Sequence, residues 1–342
     1  MIKRLFIPFL LLGVYSSAQD IHYTQLQQTP MLVNPAYTGI FQGWERIGVN
    51  HKSQWVNAGT KFHTTSVAVD MNFFKPKRGK SAYMGAGLLL YNDIGGDSKF
   101  GTKQLLVNLS GIVPIGENQS VSAGLQFGFG QRSGDLTGLT FSSQFNGTEI
   151  DPSLPSSEIN TLVTFVYPDM GFGASYRYGN HKIGFARDDA FDFKVGVSYF
   201  HLNKPELKYR LGYTEKLYGK LGVNISVLKD FPGSRSGMEL MFNQFVQGPH
   251  NESLLSALYR YRISSGSKTT GLTRDSYLSA GLSFRLKDAI SPVVFVEMYG
   301  FKFGLSYDVT LSKLSQVTRA GGIEFSLIFT NMDFALFKNR RN

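Results

Sequence analysis

Histidine has the widest chemical range of any side chain in this sequence, and there are six: His22, His51, His63, His181, His201 and His250. A local metal site needs two of them at His-x-His or His-Glu-x-x-His spacing, so that both imidazoles share one face of a strand or helix. No pair has that spacing. His51 and His63 are placed to meet across adjacent strands, where a rim or lumen-facing position without catalytic duty is expected. Cysteine is absent. That removes thiolate metal ligands, disulfides and a lipid-anchored N-terminal cysteine together. The spacing Gly124-x-x-x-Gly128-x-Gly130 looks like a phosphate-binding loop, but it lies inside an alternating run and opens no helix. No metal, nucleotide or other cofactor is therefore expected; a Ser/His or Asp/His set assembled from distant strands, as in barrel enzymes, would leave no local spacing and stays open.

Charge placement says more than the histidines. Leu221, Val223, Ile225 and Val227 alternate with Lys220, Gly222, Asn224 and Ser226. Phe301, Phe303, Leu305, Tyr307 and Val309 alternate with Lys302, Gly304, Ser306 and Asp308, and Ile323, Phe325, Leu327 and Phe329 with Glu324, Ser326 and Ile328. A dry sandwich core would have to desolvate Lys220, Lys302, Asp308 and Glu324, at several kcal/mol for each unpaired ion. A wet lumen removes that cost, so these four are the candidate lumen-facing charges.

The elements that hold them are clearest between Gln104 and Gln131. There Val121, Ala123, Leu125, Phe127 and Phe129 occupy every other position, with Ser122, Gly124, Gln126, Gly128 and Gly130 between them. Such period-two alternation is a strand with one apolar face. The preceding run sets Leu105, Val107, Leu109 and Val113 against Gln104, Asn108 and Ser110, and Pro114 to Gln119 turn between the two. The small, polar face has too little side chain to build a core. In a membrane barrel it lines the lumen while the apolar face meets lipid. The same pattern recurs from Trp44 to the last strand, giving about fourteen antiparallel strands in one all-β transmembrane barrel.

Composition agrees with that reading. The 342 residues are only 42% hydrophobic, yet include 37 Gly, 28 Phe and 17 Tyr, which suits glycine-lined strands with aromatic outer faces. Met1 to Ala18 has Lys3 and Arg4, an apolar run from Leu5 to Tyr15, then Ser16-Ser17-Ala18. This is the layout of a secretory signal peptide, with cleavage expected after Ala18. The formal net charge of +10 comes without a Lys/Arg block or an RNA-binding signature. Anionic lipid headgroups or an acidic protein are better partners for an exported chain than nucleic acid.

Four regions follow: a signal peptide at 1–18, an extended N-terminal segment at 19–43, the barrel at 44–331 and a tail at 332–342. The segment Asp20 to Gly43 does not alternate and contains Pro30 and Pro35; it is expected either to lie along the surface or to tuck into the barrel mouth. Numbering outward from Trp44, the long connections Arg132–Asn160, Leu202–Glu215 and Leu311–Arg319 fall on the outer side. Tight turns at Ile115–Gln119, Gly179-Asn180 and Tyr299-Gly300 fall on the inner side, an arrangement outer-membrane barrels adopt. Ser264–Asp275, a longish inner connection, is the exception. Arg132, Asp135, Asn146, Asp151, Lys204 and Lys208 are the outer-loop side chains expected to meet a partner.

At this point the sequence resembles a known family. Asp20-Ile21-His22-Tyr23-Thr24-Gln25 followed by Asn34-Pro35-Ala36-Tyr37-Thr38-Gly39 is similar to the opening signature of the PorP/SprF proteins, Bacteroidota outer-membrane proteins linked with type IX secretion and gliding motility. Ser53-Gln54-Trp55 is a second match, with Lys52 where arginine is expected, and Gly304 to Asp308 and Gly321 to Leu327 are similar as well. The signature residues are thus Asn34, Pro35, Ala36, Tyr37, Gly39, Gln54 and Trp55. The long Arg132–Asn160 stretch and the tail Met332–Asn342 depart from the family pattern. The resemblance implies a non-enzymatic outer-membrane barrel that assists export of, and anchors at the cell surface, a cognate secreted protein such as a large adhesin. That partner would bear a type IX C-terminal secretion domain, and translocon components would be further partners. Two readings of other classes stand beside it: a diffusion channel or small-solute transporter lined by the four charges, and a soluble secreted sandwich.

Overall fold

A computed structural model describes residues 21–54, 62–76, 81–136, 139–156, 164–180, 190–210, 213–264, 275–311 and 320–332. The expected signal peptide, Trp55 and nearly all of the tail lie outside the described residues. Sixteen strands run in chain order: β1 (Glu45–Gln54), β2 (Phe62–Phe73), β3 (Tyr83–Gly95), β4 (Phe100–Pro114), β5 (Gln119–Ser133), β6 (Phe165–Asn180), β7 (Phe191–Phe200), β8 (Glu206–Arg210), β9 (Tyr213–Lys216), β10 (Lys220–Asp230), β11 (Ser236–Gln247), β12 (His250–Ser264), β13 (Ser276–Arg285), β14 (Ala289–Met298), β15 (Phe301–Thr310) and β16 (Ala320–Asn331). All but β8 and β9 form one closed antiparallel barrel, in which each strand pairs with its neighbours in sequence and β1 closes onto β16 from Glu45↔Asn331 to Gln54↔Gly322. Closure leaves no unpaired edge, as an environment without water requires. Among the described residues no helix is long and apolar enough to cross a membrane.

The alternation settles the two faces. Along β5, Leu125, Phe127 and Phe129 are exposed on the outside while Ser122, Gly124 and Gln126 are buried inside. The exposed set continues around the barrel with Leu88, Leu105, Phe303, Leu305, Phe325 and Leu327. A belt of that chemistry, curved around a polar interior, is the face a transmembrane barrel turns to lipid. Leu125 lies near the middle of its strand, so Leu125→Arg is expected to destabilise the embedded barrel by about 2–4 kcal/mol. Urea unfolding in lipid bilayers measures it; a shift below 0.5 kcal/mol, the size of an ordinary surface change, would mean that this face meets water.

Orientation follows from the connections. The longest, 134–164 and 201–219, share one end, while the start of β1 and the end of β16 meet at the other, where the Trp44 amide donates to the Asn331 carbonyl at 2.8 Å. The long-loop end is the outer one. The two ends differ less than the sequence suggests. Gly179 and Asn180 do not turn; they extend β6, paired with Asp192 and Phe191, and the connection follows at 181–190. A local Gly-Asn signal has here given way to cross-strand pairing. The end of β6 and start of β7 lie at the inner end, as do the end of β12 and start of β13, and the short connections at 96–99, 248–249 and 286–288 lie at the outer end.

Of the two places expected for the N-terminal segment, it takes the one inside the barrel. It is not extended, however. Leu26–Gln28, Pro30–Val33 and Pro35–Tyr37 form three short helical turns, and Tyr23, Thr24, Gln25, Met31, Asn34, Ala36 and Thr38 are buried inside the barrel. The physical reason is a shortage of backbone partners: the wall's ladder is already complete, so a segment in the lumen satisfies its amides locally. Pro30 and Pro35 sit at the first positions of their turns, where proline's fixed φ starts a helical turn instead of breaking one. Loop 201–219 also has structure of its own, a two-stranded sheet of β8 and β9.

Candidate functional site

The site is the contact between the N-terminal segment and the barrel wall, roofed by the outer loops. Its path is set first by shape. A Cβ on Gly173 would fall on the Asn34 amide oxygen, and one on Gly124 would fall on the Pro35 main chain. These lumen-facing glycines therefore make room for Asn34-Pro35-Ala36. Asn34 Nδ2 donates to the carbonyls of Ala174 and Val197 at 3.2 Å each, and its Oδ1 accepts the Ala36 amide at 2.9 Å. Wall serines bind the carbonyls that follow: Ser122 Oγ donates to Ala36 O at 2.9 Å and Ser110 Oγ to Thr38 O at 2.6 Å. Gly39, at φ +74, donates its amide to Asp70, which also takes a two-pronged ion pair from Arg46.

Apolar anchors fix the middle. Met31 packs on Leu89, Tyr91 and Leu106, and Tyr23, Leu26 and Val33 pack on Met241, Phe245 and Leu254. Each such side chain, taken from water, contributes about 1.5–3 kcal/mol. Between segment and wall remains only a small mixed cavity, lined by Tyr91, Gln126, Phe200 and Lys220 among others.

Charge gathers at the start of the segment. The Lys52 side chain is fully buried, with Nζ 2.9 Å from Asp308 Oδ2 and 2.9 Å from the His22 carbonyl. Glu324 accepts the amides of Thr24 at 2.7 Å and Gln25 at 3.0 Å. The Thr24 hydroxyl donates to Asp308 at 2.7 Å and accepts from Arg285 at 2.9 Å. His22 meets Glu252 at 2.6 Å. Buried ions are tolerated where each is paired and hydrogen-bonded, and the segment supplies several of those bonds.

The four lumen candidates divide. Asp308 and Glu324 join in this network. Lys220 is buried, its ammonium 4.8 Å from the Phe245 ring centre, and Lys302 is half-buried, 4.9 Å from that of Phe295. Of the signature residues, Asn34, Pro35, Ala36, Tyr37 and Gly39 form the segment's lower half, whereas Gln54 ends β1 far from them. Lys52, read from sequence only as a departure from arginine, is a central cation of the network. Its even position in β1, shared with Arg46, Gly48 and Asn50, carried that signal.

The outer candidates divide too. Arg132 does not belong to a loop: it lies in β5 with its side chain buried, lining a small cavity with Ile21, Tyr167 and His201. The strand simply runs further than the alternation suggests. Asp135, Asn146, Lys204 and Lys208 are exposed and Asp151 is half-buried. Asn146 Oδ1 accepts the amides of Thr148 and Glu149 at 3.0 Å each, and the Ser153 hydroxyl and amide hold the Asp151 carboxyl below its usual range. Loop 201–219 rests on an apolar cluster of Tyr167, Leu207 and Leu217. His51 and His63 stack on the outer face, ring centres 5.9 Å apart. Among the described residues no group of three or more His, Asp or Glu side chains is placed to hold a metal ion.

Residues 15–329 match the family described as type IX secretion system membrane protein PorP/SprF. The chain belongs to this family. No curated protein matches the sequence. Among solved structures, the PorP/SprF chain is similar to BamA from Haemophilus ducreyi lacking POTRA domains 1–3, at 9% identity over 84% of this chain and 70% of that one, TM-score 0.43. It is also similar to the P. putida toluene transporter TodX, at 10% identity over 87% and 91%, TM-score 0.43. A third is the translocator domain of the autotransporter NalP from Neisseria meningitidis, at 9% identity over 89% and 93%, TM-score 0.39. With its closed sheet and apolar belt, this PorP/SprF protein is an outer-membrane β-barrel associated with type IX secretion.

Proposed function

We propose that this barrel assists the export of one cognate type IX substrate, such as a large adhesin, and anchors it at the cell surface through its outer loops. The role is non-enzymatic. The observation that carries the reading is the pairing of a filled lumen with built outer loops. Residues 21–40 occupy the space a solute would need, so the surface offered to a macromolecule is the outer end. There 139–156 is held by its own bonds, with buried Gln144 donating to the Leu154 carbonyl at 2.9 Å, and 201–219 by its two-stranded sheet. Preorganised loops bind at lower entropic cost than loose ones.

Deleting Gly134–Ser157 removes no strand of the barrel. The shortened barrel is expected to stay folded, seen as heat-modifiable migration on gels, while the partner moves from the cell surface to the medium. Unchanged surface retention with a folded barrel would overturn the proposal. The channel alternative has no comparable support, because it needs an open lumen.

A further inference from the structure

Residues 22–25 are held through main chain and side chains together. Glu324 takes two successive amides, Thr24 and Gln25, and Lys52 binds the carbonyl of His22. Three side chains are read as well, the first being His22, which meets Glu252 at 2.6 Å. The Thr24 hydroxyl is clasped between Asp308 and Arg285. The Gln25 amide donates to Ser306 Oγ at 3.0 Å and to the Glu324 carbonyl at 2.9 Å, and accepts from Ser326 Oγ at 2.6 Å. Arg285, Asp308 and Glu324 stand 261, 284 and 300 residues from Thr24 in sequence and Lys52 comes from β1, and all four are at most 8% exposed.

This arrangement has the parts of a peptide-binding groove: main-chain contacts give affinity, and pockets for particular side chains give specificity. Its occupant is tethered by the same chain at Gly43, which raises its effective concentration without adding a contact. An empty groove would leave two carboxylates, a lysine and an arginine buried with fewer hydrogen bonds. We propose that this wall is a peptide-binding site whose N-terminal segment is a ligand held in cis. In trans it accepts a peptide offering two successive main-chain amides, with a hydroxyl side chain on the first residue and a carboxamide on the second.

The test uses the full chain with a specific protease site inserted between Phe41 and Gln42, where Gln42 is exposed. After cleavage in detergent, a fluorescent peptide of residues 20–41 is added and its anisotropy followed. The expected result is saturable binding to the cut protein, none to the uncut protein, and at least ten-fold weaker binding of a peptide carrying Thr24→Val and Gln25→Leu. Loss of the cut fragment with no binding of added peptide would overturn the proposal, as would equal binding of both peptides. Should the insertion block assembly, the intact chain carrying Thr24→Val and Gln25→Leu serves instead. Its weakened occupant should admit the labelled wild-type peptide at least ten-fold more readily than the unaltered chain does, and no difference between the two chains overturns the proposal.

Discussion

Removal of residues 20–40 is expected to turn an electrically silent barrel into one that carries steady current. The wall strands pair with one another and not with the segment, so the cylinder keeps its hydrogen-bond ladder when the segment goes. What it loses is its filling: Tyr23, Met31, Asn34 and Ala36 leave, and Gly124 and Gly173 have no side chains with which to close the gap. Water and ions then have a continuous polar path past Gln126, Asn108 and Ser198. Single-channel recording in planar bilayers reads the outcome. The full-length protein should show no resolvable openings and the shortened one long-lived openings. Steady conductance by the full-length protein would mean that the segment does not seal the lumen, and would favour the solute-channel reading.

Lys52→Met should destabilise the folded barrel by about 3–5 kcal/mol, the range for stripping one partner from a buried ion pair. The substitution keeps length and apolar stem but removes the ammonium that lies 2.9 Å from both Asp308 and the His22 carbonyl. Asp308 keeps Arg285 at 3.6 Å as its remaining cation. A double-mutant cycle with Asp308→Asn separates the pair from each residue's other contacts. If the pair matters as described, adding Asp308→Asn to Lys52→Met should recover part of the loss in urea unfolding. Strict additivity of the two losses would indicate no coupling.

Much of this was legible in the sequence, and what was not has a common cause. Period-two alternation in Val121 to Phe129 and Phe301 to Val309 fixes strand, face and lipid contact together, because one residue's slip would put every phenylalanine in the lumen. Asp308 and Glu324 could be placed inward by the same count. For the segment the sequence left two places, the surface and the barrel mouth, and did not show its path. Its partners are the wall residues Ser110, Ser122, Ser198 and Glu324, scattered across the chain and individually ordinary. Leu106 and Ile112, buried on the inner face, break the polar pattern of β4; Leu106 does so because Met31 packs against it, a contact between segment and strand that neither run reveals alone. Arg132 was misread for a simpler reason: alternation fades where a strand leaves the apolar belt, although the hydrogen-bond ladder continues to Ser133.

The absence of cysteine allows one direct measurement of whether the N-terminal segment lies in the lumen. Thr24 Oγ1 and Asp308 Oδ1 are 2.7 Å apart, so thiols introduced at the two positions lie within the span of a short bifunctional thiol reagent. In outer membranes of intact cells, the Thr24→Cys, Asp308→Cys double variant should be bridged intramolecularly by a short bis-maleimide, seen as a mobility change that neither single variant shows. A folded, heat-modifiable barrel in which both thiols remain free and react separately with maleimide would contradict the account.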